Sequence, residues 1–146
     1  MTAAEDPVHL TAVDLRMATF RLARRLRSVR ATHGVSDAQL AVLATLRMRG
    51  RLTISALAEH ERVTAPSMTS TVNGLEEQAY VVRTPDEDDR RRVQVDITES
   101  GVEIVVETIR RRDELLAGML AELDFTADEL ETLRAASALM RRVTDR

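Results

Sequence analysis

Leu52 to Glu76 reads LTISALAEHERVTAPSMTSTVNGLE, and this stretch decides the fold. Thr53 stands where a helix N-cap belongs, with Ile54, Leu57 and Ala58 giving a short helix one apolar face behind it. A break at Arg62–Val63 leads to a second cap, Thr64. Ala65-Pro66-Ser67 then reads as a first turn, where proline is tolerated because its missing N–H has no intrahelical partner anyway. Met68, Val72 and Leu75 follow at i, i+4 and i+7, the spacing of a buried helical stripe.

Working outward, Ser36 with Gln39 opens a helix that carries Leu40, Leu43 and Leu46 and closes at Gly50. Further upstream, Thr11 and Asp14 predict the cap of a first helix. Leu15, Leu22, Leu26 and Val29 form its stripe, six Arg from Arg16 to Arg30 cover the rest, and Gly34 ends it. Downstream the texture changes: Val81 to Thr84 is β-branched and stops at Pro85, while Val93, Val95 and Ile97 alternate with polar residues. These two runs predict a hairpin with a long, charged tip. Thr98 opens a long helix with Val102, Val105, Ile109, Leu116, Leu120 and Leu123 at helical spacing. Phe125-Thr126 with Glu129 and Leu130 gives a capping box and hydrophobic staple for a last helix, continued by Leu133, Met140 and Val143.

Helix, helix, helix, hairpin is the order of a winged helix-turn-helix. The predicted fold is therefore mainly α with a small β-hairpin wing. Residues 36–98 form the winged helix-turn-helix module, flanked by a helical dimerisation region, residues 1–35 and 99–146. Dimerisation is expected because the outer helices carry more apolar stripe than the central module can cover.

Composition narrows the function. The chain has 146 residues, 31% charged and 44% hydrophobic, enough for one domain with a real core. No apolar run reaches membrane-spanning length, and the acidic start, Met1 to Pro7, does not resemble a secretory signal, so the expected address is the cytoplasm. With no cysteine there is no disulfide, thiolate nucleophile or cysteine-held zinc. Phe20, Tyr80 and Phe125 are too few to stack single-stranded nucleic acid. Neither a Gly-rich phosphate loop nor a nucleophile–base pair is present, so no enzyme and no cofactor are expected. His9, His33 and His60 are scattered and predict surface or capping roles, not a metal site. All 21 basic residues are Arg, yet the net charge is −3, so any nucleic-acid contact must come from a local patch.

The candidate patch is the polar face of the helix after Thr64: Ser67, Thr69, Ser70, Thr71 and Asn73. Short hydrogen-bonding side chains suit close approach to base edges or phosphates, and no acid intervenes before Glu76. The helix start, Thr64, Ala65, Pro66 and Ser67, offers free N–H groups to a phosphate. A merely solvated face is the alternative, but it would more often carry Glu, Lys or Arg, which are better helix formers than Ser and Thr.

Leu52 to Ala58, Val63 to Leu75, and Asp89-Arg90-Arg91 running to Ile97-Thr98-Glu99-Ser100-Gly101 together resemble the MarR family of dimeric winged-helix transcription regulators. The most specific piece is Asp89-x-Arg91 followed by Ile97-Thr98. The resemblance implies that Arg91 probes the minor groove, that Asp89 holds it, and that Arg90 and Arg92 contact phosphates. It also implies a near-palindromic double-stranded operator, repression, and relief by a small aromatic or phenolic effector, whose binding residues the sequence does not name. Three positions depart from the family pattern. Ser70 stands where Arg is frequent, Ala79 where Gly ends the helix, and Arg62 where the motif turn takes a small residue or Gly. A winged-helix protein-interaction module that does not bind DNA is the alternative reading.

Overall fold

The computed structural model describes residues 6–86 and 92–144. Its contacts divide the chain into two compact units, residues 1–112 and 113–146. The first holds helices α1 (Pro7–Arg27), α2 (Asp37–Arg49), α3 (Ile54–His60) and α4 (Ala65–Glu77), strands β1 (Leu52–Thr53), β2 (Val81–Pro85) and β3 (Val93–Ile97), and the start of α5 (Glu99–Glu122). The second holds the end of α5 and α6 (Ala127–Thr144). Mainly helical architecture with a small antiparallel sheet is the fold the sequence predicts.

Local chemistry sets most boundaries. Ser36 and Gln39 form the expected capping box of α2: Gln39 N–H donates to Ser36 Oγ at 3.1 Å and Ser36 N–H to Gln39 Oε1 at 2.9 Å. Thr53 caps α3, accepting from Ala56 N–H at 3.2 Å. Thr126 and Glu129 form the same kind of box before α6.

The first helix departs from expectation at both ends. Its cap is Asp6, which accepts from Val8 N–H at 3.0 Å, and Pro7 is the first helical residue. Asp at the cap with Pro behind it is a stronger start than Thr11, whose hydroxyl instead donates to Pro7 O inside the helix. The helix also stops well before Gly34. Ser28 Oγ donates to Arg25 O at 2.7 Å, competing with the backbone ladder, and Gly34 ends a separate 3-10 turn, Thr32–Gly34. The carbonyls of Val29 and Arg30, outside the helix, accept from Arg112 and Arg111 of α5.

One core joins α2, α3, α4, the sheet and the start of α5. Leu43, Leu46, Leu57, Met68, Val72, Leu75, Val81, Val95 and Val105 are nearly or fully inaccessible to solvent. Met68, Val72 and Leu75 occupy it as their spacing predicts. A buried leucine of this kind contributes about 1.5–3 kcal/mol. Among the described residues no buried side-chain nitrogen or oxygen lacks a hydrogen-bond partner. The sheet order is β1-β3-β2, antiparallel, with Val81 opposite Ile97 and Pro85 opposite Val93. Sequence pattern does not predict β1, because two residues hold no period; Leu52 and Thr53 pair with Val95 and Gln94. On α5 the buried face is Gly101, Ile104, Val105 and Thr108. The predicted stripe catches Val105, but Val102 is half-buried and Ile109 exposed. Gly101 lets α5 lie close against the turn after α4, since a Cβ there would stand 2.3 Å from Tyr80 O.

Candidate nucleic-acid interface

α4 is built to present one face. Thr64 caps it and accepts from Ser67 N–H at 3.3 Å, and Pro66 sits in the first turn. Met68, Val72 and Leu75 anchor the opposite side in the core. Thr64, Ala65, Pro66, Ser67, Thr69, Ser70 and Asn73 are exposed, as predicted; Thr71 is half-buried, the one member of the expected set that the helix turns inward. No acid stands in the first turn of α4.

The turns before and after this helix use left-handed residues. Ala79 at φ 59° occupies the position where the family pattern has glycine, and Arg62 at φ 55° the one where it takes a small residue or glycine. Each completes a helix end of the same design. Val63 N–H donates to Ala58 O and Arg62 N–H to Glu59 O; Tyr80 N–H donates to Leu75 O and Ala79 N–H to Glu76 O. Side chains other than glycine therefore adopt the geometry at a strain of about 1–2 kcal/mol each. The turn after α4 is also held from α5's side, where Thr98 N–H donates to Tyr80 O and Thr98 Oγ1 to Ala79 O at 2.7 Å.

Hydrogen bonds within α4 leave distinct groups for a ligand. Thr69 donates its hydroxyl proton to Ala65 O and Thr71 to Ser67 O, so both keep acceptor lone pairs. Ser67 Oγ accepts from Thr64 Oγ1, which leaves the Ser67 proton available as a donor. Asn73 Oδ1 accepts from Arg83 Nη2 at 2.6 Å, and Arg83 Nη1 pairs with Glu76 Oε2. Sequence reasoning missed Arg83. It reads as one more strand residue, and its partners lie seven and ten positions away across a turn, beyond any local pattern.

At the wing root Asp86 N–H donates to Arg92 O at 2.9 Å and Gln94 Nε2 to Asp86 Oδ2. Arg92 borders a shallow cleft with Thr53, Ser55, Ala56 and Glu59. Asp89, Arg90 and Arg91 lie outside the described residues. His60 Nδ1 and Thr45 Oγ1 both meet Glu61 Oε1, which ties α2 to the end of α3.

A second cavity, of about 440 Å³, opens between α2 and α5 beside the end of α1. Leu40, Ala41, Ala44, Val105 and Ile109 give it apolar walls, and Arg27, Asp37 and Arg112 its polar edge. Arg112 reaches Asp37 at 3.4 Å. On α5, Glu107 is held below the usual carboxylate range by hydrogen bonds from Arg110.

Residues 33–92 match the sequence profile of the MarR family. A helix-turn-helix transcriptional regulator of Mycobacterium bovis is 42% identical over 134 residues, 92% of each chain. The transcriptional repressor MdtR of Bacillus subtilis is 34% identical over 103 residues, 70% of this chain and 64% of the relative. A transcriptional regulator from Thermotoga maritima has the same fold, with TM-score 0.77 and 26% identity over 93% of this chain and 97% of that one. The chain belongs to the MarR family and is a DNA-binding transcription regulator.

Proposed function

We propose that this regulator is a homodimeric repressor that reads a near-palindromic operator and is released by a small anionic aromatic or phenolic ligand. Each subunit places α4 in a major groove, with Thr64, Ala65, Pro66, Ser67, Thr69, Ser70, Thr71 and Asn73 as the contacting set. The segment Asp89 to Arg92 reaches the adjacent minor groove, whose concentrated negative potential attracts Arg91. Residues 36–98 serve as the reader, residues 1–35 and 99–146 as the dimerising frame. Two-fold symmetry spaces the half-sites about one helical turn apart, roughly 10 bp.

The observation that carries this reading is the exposed face of α4, rich in hydroxyl and amide groups, without an acid in its first turn and anchored from behind. Repression is supported by the 34% identity to MdtR. The cavity between α2 and α5 supports the effector, because its apolar walls and two Arg suit an aromatic anion. Such a ligand acts only through different affinities for the DNA-bound and DNA-free arrangements.

The test is selection from a randomised duplex pool followed by gel-shift titration on the enriched sequence. A palindrome is expected, and Arg91→Ala should weaken binding by roughly 1–3 kcal/mol and flatten the salt dependence. A pool that emerges unenriched would defeat the proposal. For the effector, calorimetry with benzoate should show binding that Arg112→Met reduces; equal heats for both proteins would remove the cavity from the mechanism.

A further inference from the structure

We infer that Arg83 is a positioning residue that turns the donor side of the Asn73 amide outward, so that the base opposite Asn73 is recognised through its acceptors, guanine N7/O6 or thymine O4, in preference to adenine, whose two-bond pairing with asparagine is lost. This rests on the reading of α4 as the DNA-contacting helix.

The direction of the Asn73 amide follows from chemistry. A guanidinium carries five N–H donors and no acceptor, so the amide atom facing Arg83 is the oxygen, and the NH₂ group points away. The contact is short, 2.6 Å, and charge-assisted. Adenine is read by asparagine through two simultaneous bonds, NH₂ to N7 and the amide oxygen from N6–H₂. Here one lone pair of the oxygen already serves a cation. A base amino group approaching it would bring its own positive hydrogens against the Arg83 guanidinium. Asn73 is exposed, and with its oxygen turned to Arg83 it offers a pair of N–H donors on the same helix face as Ser70 and Ser67, three and six positions earlier.

The same fork performs a second task. Glu76 stands one turn beyond Asn73, and its carboxylate is the first acid that α4 would bring towards phosphate. Arg83 Nη1 pairs with it, and the Arg83 side chain is only 24% exposed. One planar cation from the wing root therefore fixes the donor and neutralises the acid together, which a lysine ammonium on a flexible stem does less well.

The test compares selected sequences for four full-length proteins: the natural chain, Asn73→Asp, Arg83→Met and Arg83→Lys, each checked for fold by circular dichroism. Asn73→Asp keeps the partner of Arg83 and removes the donor, so it should retain its melting temperature, bind the natural site about tenfold more weakly and lose preference at one position of each half-site. Arg83→Met frees the amide oxygen and should move that same position towards adenine, while Arg83→Lys should fall between. An Arg83→Met profile that keeps the natural base preference and merely binds more weakly everywhere would overturn the inference, as would natural affinity in Asn73→Asp. If the natural chain itself enriches no sequence, the failure lies with the DNA-contact reading of α4.

Discussion

Ala79 shows how single residues set the strain in this fold. At φ 59° its Cβ crowds the backbone, at a cost of about 1–2 kcal/mol, yet the two hydrogen bonds that end α4 hold it there. Ala79→Gly removes the crowding, and the greater freedom of glycine in the unfolded chain takes back about 0.4–1 kcal/mol. The expected result is a gain of up to about 1 kcal/mol, or about 2–4 °C in Tm by thermal circular dichroism; a lower Tm would show that the turn is not strained. Gly101 is the opposite case. An added Cβ would meet Tyr80 O at 2.3 Å and Ile97 Cγ1 at 2.8 Å, and the Tyr80 carbonyl is pinned by Thr98. Gly101→Ala should lose about 1–3 kcal/mol or more in urea unfolding. Gly74→Ala should be close to neutral, because alanine favours the helix by about 1 kcal/mol, which offsets a contact at 2.9 Å with Gln39 Nε2, at the end of a side chain whose Oε1 is held by Ser36 N–H. Ala79 stands out in the sequence because a family pattern expects glycine there. Gly101 belongs to the stretch that resembles the family, but its steric role becomes visible only once α5 has come against the turn.

Helix boundaries were legible wherever the cap was local and unopposed. Ser36 with Gln39, Thr53, Thr64, and Thr126 with Glu129 each satisfy their own first-turn amides. Thr11 misleads because Asp6-Pro7 competes for the same helix and wins. Strand β1 is not legible, for it exists only through pairing with β3. The α4 face was readable from composition, but the Asn73–Arg83–Glu76 fork was not, because a tertiary approach creates it. Two caps of similar chemistry separate stability from function. Ser36→Ala and Thr64→Ala should each cost about 1 kcal/mol of folding stability. Only Thr64→Ala should also weaken operator binding several-fold beyond that loss, because in the proposed complex the first turn of α4 offers its amides to phosphate. Equal DNA affinity for the two variants in a gel-shift titration would argue against a phosphate at that helix end.

At the scale of the whole molecule, neither α1 nor α6 buries a single residue within one chain. Leu15 and Leu22 on α1, and Leu130, Leu133 and Val143 on α6, remain between 37% and 69% exposed although they fall on regular apolar stripes. Leaving such stripes in water forfeits the burial that normally stabilises amphipathic helices, and pairing two copies recovers it. This gives a diagnostic that a single chain and a dimer answer differently. In a monomer, Leu22→Asp and Leu133→Asp change exposed positions and should shift stability by less than about 0.5 kcal/mol. In a dimer that uses these stripes, each substitution places a carboxylate in an apolar interface, so the mass measured by sedimentation should fall from two chains to one as the protein is diluted. Operator affinity should fall with it, because a lone subunit engages only one half-site. The salt dependence should shrink in the same variants, since half of the phosphate contacts are lost at once. Should both variants sediment and bind DNA as the natural chain does, the frame formed by residues 1–35 and 99–146 would not be what pairs the readers.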